Sequence, residues 1–92
     1  MIDNRDVEEN WKERGFSFGV FTDPPGHEWA DFTHPVDELW MLGHGEMELE
    51  IEGKIQTPQV GEEVLIKAGQ VHTVRNIGII YAHWYYGYPS NP

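Results

Sequence analysis

Apolar and acidic residues alternate without a break along EMELEIE: Met47, Leu49 and Ile51 share one parity, and Glu46, Glu48, Glu50 and Glu52 share the other. A period of two sorts these sets onto opposite faces of a β-strand and is incompatible with a helix, whose faces repeat every 3.6 residues. Gly53 then supplies a turn and Ile55 restarts the pattern, which predicts a hairpin. The four glutamates read as a solvated strand face.

The same texture runs from Gly15 onward. FSFGVF, WADFTH, ELWML, EEVLIKAG, HTVRN and IIYAHWYYGY are rich in aromatic and β-branched residues, and Gly, Pro and Asn separate them. TDPPGHE reads as a loop. About seven or eight short strands with regular turn signals predict an all-β sandwich or barrel. Only DVEENWKERG departs from this texture. It predicts one short helix with Asp6 as N-cap, Glu8 and Glu9 in the first turn, Lys12 and Arg14 in the last, and Gly15 as the stop. No repeat or low-complexity tract interrupts the chain.

Charge narrows the partners. Sixteen acidic residues against six basic ones give a net charge of -10. Such a surface is repelled by nucleic-acid phosphates and by anionic membranes. The start MIDNRDVEENW lacks the basic and apolar regions of a signal peptide, and no run of about 18 apolar residues is present to span a membrane. With no cysteine, disulfides and thiolate metal sites are excluded, and a reducing cytoplasmic setting is expected. Any metal must be held by His, Asp or Glu.

HPVDELW places His34 and Glu38 four residues apart. On one strand they share a face, with Phe32 before them and Trp40 and Leu42 after. A histidine and a carboxylate on an otherwise apolar interior face are costly unless paired or bound to metal. AGQVHTVRN brings a third candidate, His72, after the turn residue Gly69. Two histidines and one carboxylate suit Fe, Zn, Mn or Ni and leave coordination positions open. Asp31 and Asp37 have the opposite parity and are expected to face solvent or a partner chain.

These residues also fit two spaced motifs. Gly26, Phe32, His34, Glu38 and Gly45 follow the spacing of the first cupin motif, and Gly61, Lys67, Gly69, His72 and Asn76 follow that of the second. The chain therefore resembles the cupins over roughly residues 15–88. The resemblance implies a small antiparallel double-stranded β-helix, or jelly-roll barrel, as one domain over residues 1–92, with an N-terminal segment (1–14), the barrel (15–88) and a tail (89–92). It implies one divalent metal ion at His34, Glu38 and His72. Two departures stand out. Lys67 replaces a usual proline, and Phe32 replaces a usual histidine ligand.

Phe32, Trp40 and His83 are the expected pocket wall, joined by Trp84 and by Tyr85 or Tyr86. His27 or His83 is a candidate replacement for the missing ligand, while His44 lies at a turn and receives no role. Two functions follow. One is a metal-dependent enzyme, such as an oxygenase or isomerase, acting on a small molecule, with His83, Tyr81, Tyr85 and Tyr86 as candidate acid–base groups. The other is a non-catalytic small-ligand-binding or sensor module with a degenerate or empty metal site. A short barrel has open sheet edges, and Trp11, Trp29, Tyr86 and Tyr88 lie outside the ligand set, so a homodimer is expected.

Overall fold

In the computed structural model, which describes residues 3–90, Glu38 to Leu42 are buried without interruption. This segment belongs to β3 (Glu38–His44) and is covered on both faces, which accounts for the continuous apolar run LWML. The other strands are β1 (Gly19–Asp23), β2 (Glu28–Phe32), β4 (Met47–Ile51), β5 (Lys54–Gln56), β6 (Glu63–Ile66), β7 (His72–Asn76) and β8 (Ala82–Gly87). They form two four-stranded sheets, ordered β1-β8-β3-β6 and β2-β7-β4-β5, and every pairing is antiparallel. This is the expected double-stranded β-helix.

The main core lies between the sheets. Trp40 and Leu42 from β3 meet Met47 and Leu49 from β4, Val64 and Ile66 from β6, Val74 from β7, and Ala82 and Trp84 from β8. The outer face of the first sheet carries a second cluster, in which Leu39, Met41 and Tyr85 pack beneath Trp11 of the helix α1 (Asn4–Glu13). Full burial of such side chains stabilises a fold by about 1.5–3 kcal/mol each. The alternation in β4 survives intact, with Met47 and Leu49 inside. Gly53 has φ +80 and follows Glu52 at φ 51, the left-handed pair that turns β4 into β5.

Several expectations need correction. The helix starts earlier than expected: Asp3 is its N-cap, accepting from the Arg5 N–H at 2.9 Å, and Asp6 lies in the first turn. FSFGVF is strand only from Gly19; Phe16 makes an isolated bridge to Pro89. The acidic face of β4 is not simply solvated. Arg75 on β7 reaches Glu28 on β2 at 3.0 Å and Glu48 and Glu50 on β4 at 2.8 Å each. The central strand thereby supplies one cation to carboxylates on both neighbours. Residues 1–2 of the N-terminal segment and residues 91–92 of the tail lie outside the described residues. Among the described residues no helix is long and apolar enough to cross a membrane.

α1 is fastened by one carboxylate. Glu63 on β6 accepts from Trp11 Nε1 at 3.0 Å and from both terminal nitrogens of Arg14 at 2.8 and 2.7 Å. The Arg14 guanidinium, helped by the Trp11 indole, holds the Glu63 carboxyl below its ordinary value against the opposing effect of burial. A depressed carboxyl stabilises the fold above its unfolded value, near about 4.3, and that stability is lost as pH falls through the lower folded value. Because Glu63 is partly exposed, the contribution is about 1 kcal/mol or less. Urea unfolding between about pH 6 and pH 3 should therefore show a smaller acid-induced loss of stability in Glu63→Gln than in the wild type. Equal losses would mean that the contact does not fasten the helix.

Candidate metal centre

Three short constraints bring His34, Glu38 and His72 together. Glu38 opens β3 and is 3% exposed; His72 opens β7 and is 4% exposed. His34 is not in a strand. It lies in the connection between β2 and β3, so the parity expected along one continuous strand does not operate. The register of β2 shifts between Trp29 and Phe32, with Asp31 at φ 56. His34 is instead set by its carbonyl, which accepts from the Gly69 N–H at 2.8 Å. Asp37 accepts from the Ala68 N–H at 2.8 Å rather than standing free, and the Lys67 N–H donates to Gln70 Oε1 at 2.8 Å. The turn before His72 thus forms without the usual proline and anchors the loop of His34.

The donor atoms of the three residues all lie within 4.8 Å of one another. Glu38 Oε1 is 3.4 Å from the Nε2 atoms of both His34 and His72. These separations exceed those of charge-assisted hydrogen bonds, about 2.7–2.9 Å, and this buried oxygen has no hydrogen-bond partner among the described residues. His72 Nδ1 donates to the Gln70 carbonyl at 3.2 Å. In the neutral ring, Nε2 then directs a lone pair toward an oxygen that also only accepts. The trio has converging acceptors with no protein cation between them, so either a proton or a metal ion must fill that role. The His72 ring responds accordingly. Burial disfavours its charged form, but the Glu38 carboxylate and the Gln70 carbonyl outweigh burial and raise its pKa. The residues fit a metal ion, and the Gln70 contact is the kind of outer support that orients a histidine ligand.

The trio opens into a cavity of about 230 Å³. Phe32, Trp29 and Val74 line one side, Phe21, Trp84 and Tyr86 line the other, and Tyr88 stands beside His34. The Tyr88 hydroxyl is 3.5 Å from His34 Nε2, and the rings meet edge to face at 5.2 Å. Burial, and after it the Glu38 charge, pushes the Tyr88 phenol up to about 12. It stays protonated at neutral pH and is available to donate.

The expected pocket wall is only partly found. Phe32 lines the cavity, with its ring 6.4 Å from that of His34 and 6.3 Å from that of His72. Trp40 does not line it. Trp40 has the right parity but sits deeper, fully buried against Trp84. His83 does not line it either. Its parity is opposite to that of Trp84, so it faces outward, bonded to Thr22 Oγ1 at 2.9 Å and packed 5.6 Å from His44. His27 is 2.7 Å from Asp23 and belongs to a different cluster from the trio. Tyr85 belongs to the cluster under α1, while Tyr86 is in the pocket. Trp11, Trp29, Tyr86 and Tyr88, counted toward an interface, are used within the chain. Tyr88 was legible as part of the wall, because Trp84, Tyr86 and Tyr88 share one parity. Phe21 and Val74 carried no separate signal.

Position 32 is open to a direct test. Phe32 pairs in register with His72 and its ring flanks both histidines. Phe32→His should add a nitrogen donor and tighten zinc binding by about 1–3 kcal/mol, read by calorimetry at neutral pH. Unchanged affinity would mean that this side chain does not reach the trio.

Comparison with known proteins agrees with the fold. No curated protein matches the sequence. Among solved structures, an oxalate oxidase in complex with the substrate analogue glycolate superimposes with a TM-score of 0.74 at 25% identity, over 86% of this chain and 44% of that one. The cupin domain of Schizosaccharomyces pombe Cnp3 gives 0.76 at 19% identity, over 86% and 58%. A conserved double-stranded β-helix protein from Klebsiella pneumoniae gives 0.72 at 28% identity, over 84% and 70%. The chain thus spans less than half the length of the oxalate oxidase chain it matches. The cupin domain family matches residues 19–86, from the first residue of β1 to the last but one of β8, and the chain belongs to that family.

Proposed function

We propose that this protein is a small cupin that holds one divalent metal ion through His34, Glu38 and His72 and acts on a small molecule seated in the aromatic pocket. The observation that carries this reading is the buried Glu38 Oε1, without a hydrogen-bond partner and equidistant from two histidine nitrogens. Two nitrogens and one carboxylate oxygen suit Fe, Zn, Mn or Ni. Bound there, such an ion supplies Lewis acidity toward an oxygen of the small molecule or toward water.

The chain's own residues do the rest. Glu38 and the two histidines hold the ion at the wall of a cavity whose other walls are mainly aromatic. Phe32, standing where a fourth protein ligand is usual, leaves that direction to the small molecule. Tyr88, protonated and beside His34, presents a hydrogen-bond donor to a polar group bound near the ion. Trp29, Phe21 and Trp84 exclude water from the opposite end. An enzyme uses this arrangement more fully than a passive binding module does, because it combines an open coordination side with a placed donor.

Elemental analysis of protein purified without an affinity tag should find one transition metal per chain. A His34→Ala, His72→Ala double variant should lose the metal and part of its thermal stability. Full metal retention in that variant would place the ion elsewhere and overturn the reading.

We also propose a homodimer. β5 and β6 are edge strands of the two sheets, and Ile55 and Leu65 on them are exposed. Unpaired edges carrying apolar side chains favour pairing with a second copy. Light scattering at high micromolar concentration should give twice the chain mass; a monomer at that concentration would rule the dimer out.

A further inference from the structure

Asp23 is fully buried, yet it belongs neither to the apolar core nor to the candidate metal centre. Its Oδ2 accepts from Trp84 Nε1 at 2.8 Å. Its Oδ1 accepts from Trp29 Nε1 at 3.0 Å and from His27 Nδ1 at 2.7 Å. An indole nitrogen only donates, so both carboxylate oxygens act as acceptors, the arrangement that suits the ionised form. Burying a carboxylate is costly unless it is well satisfied. Here two of its three side-chain donors are the indoles that wall the far end of the pocket.

The aromatic residues at that end of the cavity pack against one another as one continuous wall. Phe21 lies 5.3 Å from Trp29 and 5.3 Å from Trp84, and Tyr86 lies 5.8 Å from Trp84. Indole is the best of the aromatic side chains at attracting a cation to its face. Donating its N–H to an anion raises the electron density of the ring, and hydrogen-bonded groups polarise one another in this way in a low-dielectric interior. The negative charge of Asp23 also acts directly through the wall, where screening by water is weak. His27 is the third side-chain partner of that carboxylate. That ring is half-buried, packs edge to face on Trp29 at 4.8 Å, and is not part of the cavity lining. The cavity therefore meets Asp23 through its two indoles rather than through His27.

We propose that the pocket takes a small zwitterion, with a compact onium group such as a quaternary ammonium against Trp29, Phe21 and Trp84, and an anionic head toward His34, Glu38 and His72. Asp23 is the positioning residue that fixes both indoles and sets the sign of the charge they favour. The place of the anionic head rests on the metal reading above; the place of the onium group does not. A cavity of about 230 Å³ limits the ligand to a molecule smaller than those of ordinary drug-sized sites.

Two probes separate these parts. Tetramethylammonium, titrated by NMR into metal-free protein, should perturb the Trp29 and Trp84 indole signals. Asp23→Asn should weaken that binding about fivefold or more. Trp84→Phe, which keeps a ring but loses the N–H, should weaken it too and serves if Asp23→Asn fails to fold. In zinc-loaded protein, trimethylammonioacetate should bind about tenfold or more tightly than tert-butylacetate, its carbon isostere of the same shape, even though the isostere's more basic carboxylate is by itself the better zinc ligand. Equal or tighter binding of the isostere, or unchanged tetramethylammonium affinity in a folded variant, overturns the proposal. If zinc fails to bind while tetramethylammonium still perturbs the indoles, the metal reading falls and the onium site stands.

Discussion

A strand buried on both faces must satisfy two packing surfaces with one sequence, and β3 meets that requirement for the whole molecule. Trp40 and Leu42 face the core between the sheets, while Leu39 and Met41 face the cluster under α1. β3 also pairs with β6 and β8, so its backbone is satisfied on both sides. Glu38 begins this strand and inherits its rigidity. A carboxylate at the head of such a strand has no freedom to swing into water, which is why its converging contacts with two histidines say something about chemistry.

The alternation along β4 and the run in β3 made the fold legible, because each reports directly which faces are covered. Spacing made the trio legible for a different reason. His34 and Glu38 come together through a loop and a bulged register rather than through strand parity, so the motif was informative where the geometric argument was not. Parity misplaced Trp40, since it tells which face a side chain takes and not how deep it lies. Depth depends on the opposite sheet, and residues far apart in the chain supply that sheet. The pairing of Arg75 with Glu28, Glu48 and Glu50 was hidden for the same reason. So was Asp23, whose partners Trp29 and Trp84 lie on two other strands in different sheets.

Acidic groups in this chain do three separate jobs. Those around Arg75 tie a sheet together across three strands, Glu63 secures the helix, and Asp23 and Glu38 sit inside. Net charge alone describes the first two poorly and the last two not at all. What distinguishes the interior pair is the nature of their neighbours: indoles for Asp23, imidazoles for Glu38. One carboxylate has its oxygens occupied by fixed donors, and the other has an oxygen left without any.

The three members of the trio do not share one kind of support. Glu38 and His72 belong to strands and open only with the sheets. His34 rides on a connection held chiefly by the Gly69 N–H, with Asp37 and Ala68 as a second tie. Local opening of a loop costs far less than opening a sheet. An ion held by the trio as proposed above would therefore exchange through His34, and its residence time would respond to residues 35–37 and 67–70 while the barrel stays closed. Tightness of grip and speed of release would then be set by different parts of the chain.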